Sequence, residues 1–161
     1  MPSTEPVDRL AHNIYAGVPP RRGGRSALSH PYDVMTRFNQ RYFDKISQKE
    51  LSIGLDACWL HDVVEDNLCS AEELARHGVR PSVIQLVSVL LNHNKSVPYA
   101  IYIETLANDP LARKIKICDI LTNLGDRPTD VQIRKYASAL NVLLDHDHDH
   151  EDQDNAKPDC R

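Results

Sequence analysis

The segment ACWLHDVVEDN, residues 57–67, constrains this chain more than any other. It is apolar on almost every helical face and should be buried. It nevertheless carries four ionisable residues, His61, Asp62, Glu65 and Asp66. Burying an adjacent His and Asp costs on the order of several kcal/mol unless they are hydrogen-bonded or hold a metal, so the fold must supply that pair with a partner. On a helix His61 and Glu65 stand four residues apart, as do Asp62 and Asp66, and all four line one edge of a cleft if the turn persists. The alternative is a helix C-terminus whose polar residues meet solvent as the helix ends, with His61 a satisfied core histidine.

Helical spacing dominates the rest of the chain. Val83, Leu86, Val87 and Leu90 recur at helical intervals, and Leu111, Ile115 and Cys118 do the same, whereas strand-like alternation is nearly absent. Ser70 with Glu73 has the spacing of a capping box opening a helix near Ala71, and Gly78 followed by Arg80 and Pro81 closes it. Pro31, Pro81 and Pro110 each stand where a helix can begin. The pattern predicts helices over residues 5–16, 31–44, 49–64, 71–77, 82–92, 97–107, 111–124 and 128–144, an all-α domain without internal repeats.

The length of 161 residues with 41% hydrophobic content fits one compact domain, residues 1–144. No apolar stretch approaches the ~20 residues a membrane-spanning helix needs. The N-terminal MPSTEPVDRL lacks the basic start and apolar core of a secretory signal, so a cytoplasmic protein is expected. The net charge of −4 gathers in DHDHDHEDQDNAKPDCR, residues 145–161, whose seven acids against Lys157 and Arg161 make that segment −5 and leave the remainder near +1. No broad basic footprint for nucleic acid is present. Like charges and the lack of apolar residues predict disorder in this segment, a solvated acidic tail, with weak chelation by its alternating His and Asp as the alternative. Cys58, Cys69, Cys118 and Cys160 show no CxxC spacing and are expected to be reduced and structural.

A second polar intrusion lies in KIKICDILTNLGD, residues 114–126, where Lys116, Asp119 and Asn123 share one helical stripe. Asp119 is flanked by Ile117, Cys118, Ile120 and Leu121. It is either buried and liganded or on a stripe facing water. His30, in SALSHPYDV, stands at the start of a Pro-initiated helix and by itself reads as a capping or surface histidine. Taken together, His30, His61, Asp62 and Asp119 form a mixed N/O set suited to Mn²⁺, Fe²⁺ or Zn²⁺ and not to a soft thiolate site. An ion held with open positions lowers the pKa of a bound water and polarises a phosphoryl oxygen, which is the chemistry of a phosphohydrolase.

The order of His30-Pro31, the HDxxED string His61 to Asp66, and Asp119 with Asn123 four residues later resembles the HD-domain superfamily of metal-dependent phosphohydrolases. Within it the pattern is most similar to the hydrolase domain of the RelA/SpoT alarmone enzymes, especially the stand-alone small alarmone hydrolases. The resemblance runs from about residue 8 to 140 and implies an HD-domain helical bundle. It implies that His30, His61, Asp62 and Asp119 hold one divalent metal, Mn²⁺ before Fe²⁺, Zn²⁺ or Co²⁺, and that Glu65 and Asp66 activate or position water. PYAIYIETLANDPLARKIKICD matches the helix pair leading to the last ligand, with Lys116 three residues before it, and Asn123 matches a residue beside the site. Arg21, Arg22 and Arg25 of PPRRGGR fall where the family carries basic residues that meet the nucleotide, and planar guanidinium groups suit phosphate; a surface loop is the alternative. Lys95 of LNHNK falls near a family Thr-Lys or Thr-Arg position, but Asn92 stands where threonine is usual, and Asn67 replaces the Thr that often follows Glu-Asp.

The implied reaction removes the 3′-pyrophosphate of guanosine tetra- or pentaphosphate, giving pyrophosphate and GDP or GTP, with no synthetase domain expected. One alternative keeps the HD site and changes the substrate, as in a nucleotidase or a deoxynucleotide phosphohydrolase. Another is a non-catalytic nucleotide-binding module that keeps the metal for folding. Glu-Asp directly after HDxx favours the alarmone type, and the lack of Gly-Tyr-Pro disfavours a cyclic-dinucleotide esterase. No residue pattern assigns an oligomeric state.

Overall fold

The computed structural model describes residues 5–154, with side chains as far as His146. Among the described residues the chain forms eight α-helices and no strand: α1 Val7–Tyr15, α2 Ser29–Tyr42, α3 Gln48–Leu60, α4 Ala71–Arg76, α5 Pro81–Gln85, α6 Tyr99–Leu106, α7 Pro110–Leu124 and α8 Asp130–Asp154. The starts are set by side chains. Reciprocal capping boxes, Ser47 with Glu50 and Ser70 with Glu73, open α3 and α4. Asp109 accepts from the amides of Leu111 and Ala112 ahead of α7, whose first residue is Pro110.

The core is organised around α7, in which Ala112, Ile115, Ile117, Cys118, Ile120 and Thr122 are all buried. A helix buried on this many sides needs neighbours all round, and α2, α3 and α8 pack against it. α2 also lies along α3, and α1 and α5 close over α3 from other sides, while α8 bridges α6 and α7. Arg113 is 1% exposed, and its Nη1 donates to the Ala107 carbonyl at 2.6 Å, which ties the end of α6 to the start of α7. α2 and α3 approach so closely because Gly54 lacks a side chain. A Cβ there would lie 2.3 Å from Cζ of Phe38, itself fully buried.

Most boundaries differ by a residue or two from the sequence expectation, and those around the polar cluster matter most. α2 begins at Ser29 rather than residue 31, which puts His30 inside its first turn. α3 ends at Leu60, and residues 61–67 are turns, in which the Asp66 amide donates to the Asp62 carbonyl at 2.8 Å and the Leu68 amide to that of Val63 at 2.8 Å. Asn67 adopts φ 55°, a left-handed conformation that Asn tolerates and that a β-branched Thr would strain. α5 passes into a five-residue π-helical segment, Leu86–Leu90, where the Leu91 amide donates to the Leu86 carbonyl at 2.8 Å. The wider turn shifts the apolar register, so Leu91 at 3% exposure, rather than Leu90, follows Val87 into the core.

At the C-terminus α8 continues to Asp154, covering residues 145–154 of the acidic segment for which disorder was expected. Ala139 and Leu143 anchor the helix in the core, and extending a nucleated helix costs little. Residues 155–161, including Cys160, lie outside the described residues. Cys58, Cys69 and Cys118 are buried free thiols. No described helix is long and apolar enough to cross a membrane.

Gly54→Ala should lower stability by roughly 1–3 kcal/mol, the usual cost of overpacking a core. The expected outcome is a thermal midpoint several degrees lower by circular dichroism; an unchanged midpoint would mean that Phe38 yields freely.

Candidate metal centre

Three helices deliver polar side chains to one buried point. His30 comes from the first turn of α2, His61 and Asp62 follow the last residue of α3, and Asp119 comes from the middle of α7. His30, His61 and Asp119 are 4%, 3% and 4% exposed, which excludes the surface readings of His30 and Asp119. His30 Nε2 lies 3.0 Å from Asp119 Oδ1 and 3.2 Å from His61 Nε2. His61 Nε2 lies 3.1 Å from Asp62 Oδ2 and 3.6 Å from Asp119 Oδ1, and His30 Nε2 lies 3.7 Å from Asp62 Oδ2.

Surrounding groups fix these orientations. His61 Nδ1 donates to the Cys58 carbonyl at 2.8 Å, which turns Nε2 toward the other three groups. Asp119 is held at both oxygens: Lys116 Nζ donates to Oδ2 at 2.8 Å and Asn123 Nδ2 donates to Oδ1 at 2.8 Å. The stripe Lys116, Asp119 and Asn123 thus faces inward. Burial opposes ionisation of Asp119, but Lys116 and the two histidines hold its carboxyl well below the usual range. Burial likewise disfavours a charged His61, yet Asp62 and Asp119 raise it well above an ordinary histidine. The field at this point favours positive charge.

Three donors, His30, His61 and Asp62, come together as a group that fits a divalent metal, and Asp119 borders it through His30 and His61. Ligand atoms of His30, His61 and Asp62 all lie within 4.8 Å of one another. Nitrogen and oxygen donors about 2.1 Å from a shared ion, at octahedral or tetrahedral angles, stand about 3.0–3.4 Å apart, close to the spacings of 3.0–3.7 Å observed. Two imidazole nitrogens 3.2 Å apart between carboxylates are satisfied by a shared proton or by a shared cation.

The cavity at this centre, about 220 Å³, is lined by the expected Glu65, Asp66, Lys95 and Arg21, and also by His93, Tyr99, Lys135 and Tyr136. Lys95 Nζ donates to Glu65 Oε1, and the His93 amide donates to Glu65 Oε2 at 3.2 Å, so both oxygens of Glu65 are engaged. The Asp66 carboxylate accepts no hydrogen bond among the described residues, and partial burial with the nearby carboxylates of Asp62 and Glu65 pushes its pKa up. The three arginines diverge. The loop closes through the Arg21 amide donating to the Arg25 carbonyl and the Gly24 amide to that of Arg21, with Gly23 and Gly24 at φ 94° and 84°. Arg21 reaches the cavity while its Nε lies 3.4 Å from Asp126 Oδ2. Arg25 pairs with Asp33 at 2.8 Å in an adjacent recess that His30 also lines, and Arg22 borders a further recess with Asn123.

His93, Tyr99, Lys135 and Tyr136 carry no local sequence signal for this role. They converge because the segment after the π-helical turn and the first half of α8 meet across the cavity. Only Tyr99 with Tyr102, three apart in PYAIY, marks a common helical face.

No family model matches the chain, and no curated protein matches it. A solved structure does, with a TM-score of 0.68 and 24% identity, over 89% of this chain and 88% of the other. That protein is described as a metazoan ortholog of SpoT that hydrolyzes ppGpp and plays a role in starvation responses. The likeness is one of fold: the chain is an all-α bundle that shares the fold of that protein.

Asp66 yields a pH prediction for the metal-free protein. Its folded-state pKa lies above its unfolded value, so the ionised carboxylate costs stability above the folded pKa, and that cost disappears below the unfolded value of about 3.9. Asp66→Asn should therefore raise the thermal midpoint at pH 7 in EDTA, with the gain shrinking as pH falls toward 4. A gain that does not change with pH would contradict this.

Proposed function

We propose that the chain is a metal-dependent phosphohydrolase that removes the 3′-pyrophosphate of guanosine tetra- or pentaphosphate. The observation that carries this reading is one cavity lined by His30, Asp62 and Asp119, with His61 against His30 at 3.2 Å, the carboxylates Glu65 and Asp66, and the cations Arg21, Lys95 and Lys116. His30, His61, Asp62 and Asp119 would hold one divalent ion, with Mn²⁺ the first candidate. When bound, such an ion supplies Lewis acidity and a more acidic water.

The two carboxylates then have separate tasks. Glu65 is fixed at both oxygens by Lys95 and the His93 amide, so it orients Lys95 and shapes the cavity floor. Asp66 has no such restraint and an elevated pKa, which suits it to accept the proton of the attacking water. Lys116 neutralises Asp119 and lies 13% exposed at the cavity wall, and Arg21 offers a guanidinium that can turn from Asp126 to a phosphate. The match to a ppGpp hydrolase in fold supports the substrate class, and the left-handed φ of Asn67 gives its departure from the family Thr a backbone reason.

Pyrophosphate release from guanosine tetraphosphate in Mn²⁺, beside nucleoside mono- and triphosphates, tests the reading. Selective release from the alarmone is expected; turnover confined to another nucleotide would replace the substrate, and silence across the panel would favour a binding module. Asp66→Asn should lower kcat by about 10²–10⁴, the usual share of a general base, with KM little changed. A wild-type kcat in that variant would remove Asp66 from the reaction.

A further inference from the structure

Three side-chain oxygens among the described residues are buried without a hydrogen-bond partner, and one of them, Tyr99 Oη, belongs to a residue lining the metal-centre cavity. A buried hydroxyl without a partner is costly and rare. Directly over the Tyr99 ring stands Lys135 Nζ, 4.1 Å from the centroid and 5.4 Å from that of Tyr136. The other lysines of the cavity have carboxylate partners, Lys95 with Glu65 and Lys116 with Asp119. Lys135 has none among the described residues.

An ammonium held on aromatic faces and a phenol with no acceptor share one need, an acceptor-rich group that the protein does not supply. Burial pushes the Tyr99 phenol up to about 12, which keeps its proton and makes it a donor at neutral pH. The pair is joined to the metal centre by contact: the Tyr99 ring lies tilted 5.9 Å from that of Tyr102, which in turn lies 5.6 Å from Lys116 Nζ, the partner of Asp119. His93 braces both tyrosines, with ring centroids at 5.6 and 4.7 Å. Lys135 and Tyr99 also line the same cavity as Lys116 and Asp119, so a phosphate at the metal centre shares its cavity with both.

We propose that Lys135 and Tyr99 form the receptor for the distal phosphate of a diphosphoryl group, so that the cavity selects pyrophosphate esters over monophosphate esters. This rests on the phosphohydrolase reading and adds two specificity-determining residues to it. Both bind oxygen of the departing group and neither takes part in proton transfer.

The test titrates inorganic pyrophosphate and, separately, orthophosphate into the full chain by calorimetry, with equal Mn²⁺ in cell and syringe. Lys135→Met should weaken pyrophosphate binding about tenfold or more and Tyr99→Phe about threefold, as expected for a charged and a neutral hydrogen bond. Orthophosphate binding should be unchanged in both, and Lys135→Arg should keep pyrophosphate binding near wild type. Circular dichroism confirms that each variant is folded. Pyrophosphate binding at wild-type strength in Lys135→Met and Tyr99→Phe, equal losses for both anions, or a loss in Lys135→Arg as large as in Lys135→Met would each overturn the receptor. Selective loss of pyrophosphate binding, with no nucleotide turned over by the wild type, would sink the reaction and leave the receptor standing. Alarmone turnover with wild-type pyrophosphate binding in both variants would do the reverse.

Discussion

The buried carboxylate of Asp119 is the constraint on which the rest of the molecule depends. An ionised acid in the middle of the most enclosed helix is affordable only if positive charge and donors surround it. Lys116 and Asn123, one helical turn to either side, serve its two oxygens, and His30 and His61 from two other helices meet it at 3.0 and 3.6 Å. Each demands something of the fold. His30 reaches Asp119 because α2 begins at Ser29, and His61 does so because α3 stops at Leu60 and the chain turns while still inside the core. The contact of Gly54 with Phe38 brings α2 and α3 close enough for the two imidazoles to meet.

Residues whose role is set by nearest neighbours in sequence were legible before the fold. The Ser70–Glu73 capping box, Pro81 and Pro110 at helix starts, and the apolar stripe of α7 follow from local rules, and all appear as expected. The HDxxED string and an acid among Ile117, Cys118 and Ile120 marked a buried polar cluster because their apolar flanks must enter the core and carry the charged groups in with them. Features that depend on tertiary packing were not legible. The π-helical segment arises where the bundle takes up one extra residue, and no periodicity announces it. His93 and Lys135 are ordinary surface residues by composition, and only the approach of the post-π segment to α8 turns them into cavity wall. In PPRRGGR, three arginines look equivalent as a string, but the turn at Gly23 and Gly24 sends Arg21 into the cavity and Arg25 to Asp33.

Charge is sorted across the cavity in a way that fits the proposed reaction. Carboxylates and imidazoles gather at the floor, where His61 is held in favour of its positive form and Asp119 in favour of its negative one. Donors without acceptors gather on the wall made by α6 and α8. A floor that calls for a cation and a wall that calls for an anion together suit a phosphate ester bridging the two. Asp66, its carboxylate unrestrained and raised in pKa, lines the same cavity. The same sorting explains why fold alone does not fix the substrate: the floor follows from His30, His61, Asp62 and Asp119, whereas the wall is made of His93, Tyr99, Lys135 and Tyr136, which those four do not dictate.

The central claim is that His30, His61, Asp62 and Asp119 surround a single divalent cation. A crystal grown with Mn²⁺ and measured on both sides of the manganese absorption edge tests it most directly. One anomalous peak is expected about 2.0–2.3 Å from both Nε2 atoms and from a carboxylate oxygen of each Asp, the range for nitrogen and oxygen ligands. Crystals with no peak at this point, or with manganese bound only along the acidic end of α8, would contradict it.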